Sequence, residues 1–208
     1  MPPHAAPAAR RRPLRRWLER VLLVLGIVCL GYYAYVSAET VLYQTYENRE
    51  LDAILASRVT THAPPAAGAA RPRATASGAT VGRIEIPRLR VSAIIKAGTD
   101  ARTLQLAVGH IPGTAFPGEG GNVGLAGHRD TFFRRLRDIR PDDEIRVAMP
   151  DRTFRYRVER TNVVEPRDVW VLDPTAYPAL TLVTCYPFTY VGSAPQRFIV
   201  RALLDSDF

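Results

Sequence analysis

Two cysteines and four histidines are the side chains of this 208-residue sequence best suited to covalent or proton-transfer chemistry. Cys29 sits inside an uncharged run and reads there as a small apolar residue. Cys185 closes the run LTLVTC and is followed by Tyr186, Pro187 and Phe188. The two lie in segments too different to pair as a disulfide. A lone thiol at the exit of an apolar strand, just before a proline-containing turn, can be held at a surface groove, where its thiolate can attack a carbonyl carbon. The competing reading is a buried, inert cysteine. What favours chemistry is the company Cys185 keeps.

His128 follows the apolar stretch NVGLAG and is flanked by Gly127 and Arg129, so it too stands at a strand end. An imidazole beside a thiol acts as general base or, once protonated, stabilises a thiolate and returns the proton to a leaving amine. Arg197 lies in PQRFIVRALL, where alternation puts Arg197, Ile199 and Arg201 on one face and Phe198 and Val200 on the other. Arg197 is a permanently protonated donor able to bind a carbonyl oxygen as charge builds on it; otherwise it is a surface charge. His110 precedes a series of turn-forming residues and reads as a brace for that loop. His4 and His62 read as solvated. No CxxC, HExxH or clustered His/Cys set is present, so no metal or other cofactor is expected. The acidic triplet Asp142, Asp143 and Glu144 reads as a solvated turn before a strand.

These residues need a scaffold. From Thr80 onward short apolar runs alternate with turn residues: VGRIEI, VSAII, NVGLAG, EIRVAM, TFRYRVERTNVV, LTLVTC and RFIVRALL. Their alternation and β-branched content predict strands, with short helices near Ala101 to Ala107 and Phe132 to Leu136. Seven or eight such strands in roughly 125 residues point to a mainly β domain, a closed barrel or a sandwich.

Ahead of that domain, Val21 to Ala38 (VLLVLGIVCLGYYAYVSA) carries no charge and is long enough to cross most of a bilayer as a helix. Trp17 and the tyrosines at 32, 33 and 35 mark its interfaces. Arg10, Arg11, Arg12, Arg15, Arg16 and Arg20 place its N-terminal side in the cytoplasm. A secretory signal cleaved after Ala38 is the alternative. Those arginines, offset by Glu19, carry most of the net charge of +8, whereas beyond Thr80 charges of both signs are interspersed, which argues against nucleic-acid binding. The expected organisation is a basic tail over 1–20, a transmembrane helix over 21–38, a helical stalk and Pro/Ala-rich linker over 39–80, and the β domain over 81–208.

With these segments in order, the sequence resembles the sortases, most closely those of class D. TLVTC (Thr181 to Cys185) is similar to the family's nucleophile motif, GNVGLAGHRD (Gly121 to Asp130) to its histidine segment, and APQRFIV to its arginine strand. GHIPGTAFPG (Gly109 to Gly118) looks like a further stretch common among such enzymes. The resemblance implies an eight-stranded β-barrel with one or two short helices, anchored by the N-terminal helix in the lipid bilayer of the cell membrane. It implies a transpeptidase that cuts a Leu-Pro-x-Thr-Gly-like sorting signal between Thr and Gly. The thioacyl enzyme formed on Cys185 is then resolved by an amine acceptor, from a cell-wall precursor or a pilin lysine. His128 would be acid and base, Arg197 would orient the substrate and stabilise the oxyanion, the backbone N–H of Tyr186 would be a second oxyanion donor, and Thr184 would either contact substrate or serve as an ordinary strand residue. Chain order sets aside papain-like enzymes, whose cysteine precedes the histidine, and L,D-transpeptidases, whose histidine closely precedes the cysteine. A hydrolase of the same fold and a non-catalytic peptide-binding module stay as alternatives.

Overall fold

The protein is described by a computed structural model over residues 11–60, 78–190 and 192–205. His4, His62 and most of the expected linker lie outside the described residues. The chain divides into two compact units, Met1–Leu42 and Tyr43–Phe208.

One helix, α1 (Arg11–Thr60), takes in the expected membrane span, the expected stalk and the second half of the basic tail. Its stretch Arg16–Glu39 has 24 residues, a mean hydropathy of 2.1 and no buried part. At about 1.5 Å per residue that stretch is about 36 Å long, more than the ~30 Å of a hydrocarbon core.

Eight strands form a closed barrel rather than a sandwich: β1 (Thr80–Ile86), β2 (Val91–Ala97), β3 (Val108–His110), β4 (Asn122–Ala126), β5 (Glu144–Ala148), β6 (Thr153–Val164), β7 (Ala179–Tyr186) and β8 (Gln196–Leu204). Their order around the barrel is β1-β2-β3-β4-β7-β8-β6-β5. The β2/β3 and β4/β7 neighbours run parallel and the others antiparallel. Alternation decides which side chains fill the interior. Val123 and Leu125 of β4, Leu180 and Leu182 of β7, and Val200 and Ala202 of β8 join Ile84, Ile145, Val147 and Tyr156 in one core. Closure gives each of the described strands a neighbour on both sides, which removes the open edges that template aggregation.

Helix α2 (Ala101–Leu106) follows its expected bounds, and its N-terminus is capped by Asp100, whose carboxylate accepts from the Thr103 N–H at 3.0 Å. The second expected helical stretch is a short 3-10 helix, Arg134–Asp138. Phe133, at its N-cap, and Leu136 within it are fully buried and anchor this turn to the core. Another 3-10 turn, Val169–Leu172, lies in the connection from β6 to β7. The acidic triplet is not simply a solvated turn. Asp143 is buried and accepts from the Arg88 guanidinium and the Arg140 N–H, which together hold its carboxyl below the usual aspartate range.

Candidate active site

The outer wall of the barrel along β4, β7, β8 and β6 forms a grid whose rows are fixed by strand register. Gly124, Thr181, Arg201 and Arg160 stand abreast in one row, and Ala126, Val183, Ile199 and Asn162 in the next. In the third row Cys185 pairs with Arg197, and Arg197 with Val164. The pairing of β4 with β7 ends at Ala126 and Val183; carried two residues further, it brings His128 beside Cys185. Two hydrogen bonds hold that extension in place. The Gly127 N–H donates to the Val183 carbonyl at 3.1 Å, and the Thr184 hydroxyl donates to the Gly127 carbonyl at 2.8 Å. Three side chains from distant parts of the sequence thus share one end of the wall. His128 is exposed, while Cys185 and Arg197 are half-buried.

Gly127 must be glycine for a steric reason. A Cβ there would lie 2.7 Å from the ring of Phe133, a core residue. The turn after β4 is closed further by the Phe133 N–H donating to the His128 carbonyl at 3.1 Å. Arg197 Nη1 donates to the carbonyls of Ala194 and Gln196, at 3.2 and 2.9 Å, which leaves Nε and Nη2 without acceptors among the described residues.

Thr184 and Tyr186 alternate with Cys185 and so take the interior side of β7. Thr184 is buried and its hydroxyl donates to the Gly127 carbonyl, so it fastens β4 to β7. The Tyr186 ring packs against Phe188 and Phe198, with centroids 5.9 and 6.1 Å away, and its peptide bond to Pro187 is cis.

In the sequence Arg129 is only a neighbour of His128. It is buried, makes a bidentate contact with Asp130 at 3.0 Å through Nε and Nη2, and donates from Nη1 to the Pro187 carbonyl at 2.7 Å. It therefore ties the turn after His128 to the turn after Cys185. The guanidinium holds the Asp130 carboxyl below its ordinary pKa, with His128 adding to the same effect. Nothing in the spacing of GHRD announces a buried arginine. His110 lies on β3, away from the thiol row; its Nε2 meets the Ala115 carbonyl at 2.9 Å, and its ring stacks on Phe116 at 4.2 Å. Burial pushes the imidazole pKa down, partly offset by that carbonyl.

The connection over 165–178 is pinned to the wall by buried polar groups. Asn122 Nδ2 donates to the carbonyls of Val171 and Asp173, at 3.1 and 3.2 Å, and Asn122 Oδ1 accepts from Thr181 at 2.7 Å. Arg201 Nη2 adds a bond to the Val171 carbonyl at 2.8 Å. The turn Val169–Leu172 is thereby fastened to the rows next to the thiol.

The sequence model of the Sortase domain matches residues 84–205. Sortase D of Bacillus subtilis is 38% identical over 125 residues, covering 60% of this chain and 63% of that protein. The chain thus spans less than two thirds of that relative. Among solved structures, a Clostridium perfringens Sortase D5 transpeptidase superposes with a TM-score of 0.58 at 30% identity, covering 63% of this chain and 82% of the other. A Clostridium perfringens sortase C, solved with the C-terminal cell wall sorting motif, gives 0.58 at 27% identity over 63% and 73%.

Proposed function

The chain belongs to the sortase family, and from that premise we propose that it is a membrane-anchored cysteine transpeptidase that cleaves a Leu-Pro-x-Thr-Gly-like sorting signal between Thr and Gly. The observation that carries the reading is the third row of the outer wall, where register sets Cys185 beside Arg197 and, two residues beyond the end of β4, His128 beside Cys185. The half-buried thiol can meet a peptide laid along the outer wall, and the exposed imidazole can exchange protons with water between steps.

In the first half-reaction the Cys185 thiolate attacks the threonine carbonyl carbon. Negative charge develops on the carbonyl oxygen, where the free nitrogens of the Arg197 fork and the Tyr186 N–H are the assigned donors. The C–N bond to glycine then breaks, and His128 gives its proton to the departing amine. The acyl group stays on sulfur as a thioester, which conserves its energy without ATP. In the second half-reaction an amine attacks that carbonyl, His128 accepts its proton, and the thiolate leaves. A cell-wall precursor or a lysine of another surface protein supplies the amine. Thr184 and Arg129 serve as positioning residues: one fastens β4 to β7, and the other joins the two turns that carry the imidazole and the thiol.

The apolar stretch of α1 is the anchor, and the arginines on its N-terminal side assign that side to the cytoplasm and the barrel to the outside. Residues 39–80 connect the two, and the barrel from 81 onward is the catalytic domain.

The test uses the full chain in detergent micelles, mixed with Leu-Pro-x-Thr-Gly peptides and amine acceptors and followed by intact-protein mass spectrometry. An acyl adduct on Cys185, absent in Cys185→Ala and discharged onto the amine, is the expected result. Discharge to water alone would replace the proposal with a hydrolase, and a folded chain that forms no adduct with any peptide would leave a binding module.

A further inference from the structure

The first row of the outer wall sets two like charges against each other. Arg160 of β6 and Arg201 of β8 are direct cross-strand partners, next to a register shift between Val158 and Arg160. Like charges directly opposite in a sheet are destabilising unless something of opposite sign lies between them. Glu159, the acidic residue at that shift, is already engaged, accepting from Arg160 Nη1 at 2.8 Å on the exposed side.

Arg201 is the more demanding of the two. It is only 8% exposed, and its Nη2 is used by the Val171 carbonyl. Its Nη1 is fully buried and has no acceptor among the described residues. A buried guanidinium nitrogen without an acceptor is costly, and a second cation across the strand raises the cost. Burial, and then Arg160, lower the pKa of this guanidinium, and the opposing pull of Tyr177 and Glu159 does not make up for them.

A small cavity lies at the same place. Its volume is about 10 Å³, and it is lined by Arg160, Asn162, Trp170, Val171, Ile199 and Arg201. That is room for about one water-sized atom, such as a single oxygen. The lining brings together two guanidinium groups and one side-chain amide, the donor set that recognises an anionic oxygen. Trp170 is 52% exposed and Val169 67%, so the rim offers apolar surface on the solvent side.

We propose that Arg160 and Arg201, with Asn162, form an anion site on the outer wall that takes one oxygen of a carboxylate group, with Trp170 covering the carbon skeleton behind it. The site lies four residues along β8 from Arg197, about 13 Å at about 3.3 Å per residue. It is therefore separate from the thiol row, yet within reach of an extended peptide seated there, roughly four residues from the scissile bond. A free small carboxylate and an acidic side chain of a bound peptide present the same chemistry to it. The peptide source rests on the transpeptidase reading; the site itself does not.

Trp17 and Trp170 are the two tryptophans of the chain, so Trp17→Phe, with excitation at wavelengths that only tryptophan absorbs, makes Trp170 a native reporter of the cavity. The full chain carrying this change, in detergent micelles, is titrated with sodium acetate while Trp170 emission and Tm are recorded. Parallel series use Arg160→Gln and Arg201→Gln, so that ionic screening is common to all. The expected result is a saturable emission change with a matching rise in Tm. Acetate affinity should fall roughly tenfold in Arg160→Gln, the loss of one charge-assisted hydrogen bond. Because Arg160 is half exposed, that variant keeps the test decisive if Arg201→Gln fails to fold. An acetate response that does not saturate, or that is the same in wild type and Arg160→Gln, would overturn the site.

A second arm compares peptides bearing Asp or Asn about four residues on either side of the scissile bond. A preference for Asp that disappears in Arg160→Gln identifies the substrate as the carboxylate source. Equal turnover of the two peptides, with acetate binding intact, identifies a free anion. No turnover of either, with acetate binding intact, counts against the transpeptidase reading and leaves the anion site standing.

Discussion

Gly127→Ala is the sharpest probe of how the barrel positions its candidate site. The added methyl would lie 2.7, 2.8 and 3.2 Å from three carbons of the Phe133 ring, whereas carbon atoms pack at about 3.5 Å or more. The shortfall at the closest contact is thus about 0.8 Å. Phe133 is fully buried in the barrel core and has no solvent side to swing toward. Overpacking of this kind costs about 1–3 kcal/mol, and a barrel of this size loses about 3–6 °C of Tm for each kcal/mol. If Gly127 moves instead of the ring, His128 moves with it, and a displacement near 1 Å at a reacting group lowers kcat/KM by about 100-fold. Thermal unfolding by circular dichroism and peptide turnover on the full chain read the two effects. The cause is isolated by Gly127→Ala/Phe133→Leu, because leucine makes room for the methyl. The double variant should recover at least about 1 kcal/mol relative to the sum of the singles. Losses that simply add would refute the steric argument, as would a Gly127→Ala protein indistinguishable from wild type.

Other expectations are simpler to state. Thr184→Val keeps the shape but removes the donor to the buried Gly127 carbonyl, so it should lose about 1–3 kcal/mol in denaturant unfolding, while Thr184→Ser should recover most of it. Arg197→Lys should lower kcat/KM nearly as far as Arg197→Gln, because a point charge cannot both hold the Ala194 and Gln196 carbonyls and reach an oxyanion; near-normal turnover in Arg197→Lys would refute the oxyanion role. His110 has a folded-state pKa below its ordinary value of 6.5, so the unfolded chain takes up its proton first as pH falls. The stability it contributes is therefore complete above 6.5 and is lost on going down through the folded pKa, and His110→Gln should flatten stability against pH in that window. Asp143, held below the ordinary 3.8 by Arg88, contributes a separate loss only at more acidic pH, present in both proteins.

Much of the barrel could be read from alternation, since β6 and β8 are long enough for the in-out pattern to declare itself. β3 could not. Its three residues, Val108–His110, carry no period of their own and become a strand only because β2 and β4 flank them. The short helical stretch expected over Phe132 to Leu136 lies two residues further on, at Arg134–Asp138, and is of the 3-10 kind, which the apolar spacing of Phe133 and Leu136 cannot tell from an α-helix. For the site, strand ends pointed to Cys185 and His128, and alternation put Arg197 and Arg201 on one face. What alternation does not reveal is which strands are neighbours. The parallel pairing of β4 with β7 is a tertiary fact, and it alone brings His128 alongside Cys185. Burial of Arg129, Asp143 and Arg201 was equally hidden, because an arginine or aspartate looks the same in sequence whether solvated or enclosed.

The β4/β7 junction also has a consequence in time. Between these two strands the chain leaves to build β5 and β6 elsewhere on the barrel and then returns. Bringing β7 against β4 closes a loop of many residues, and such non-local pairings make all-β topologies slow, typically folding in milliseconds to seconds. Until that closure the thiol and the imidazole are strangers, each on an unfinished strand. Under the proposed assignment a newly made chain cannot cut the peptides around it before its barrel is shut, so the onset of activity marks the end of folding. The same interval leaves Cys185 as an ordinary accessible thiol, the stage at which an oxidising exterior would most readily inactivate the protein.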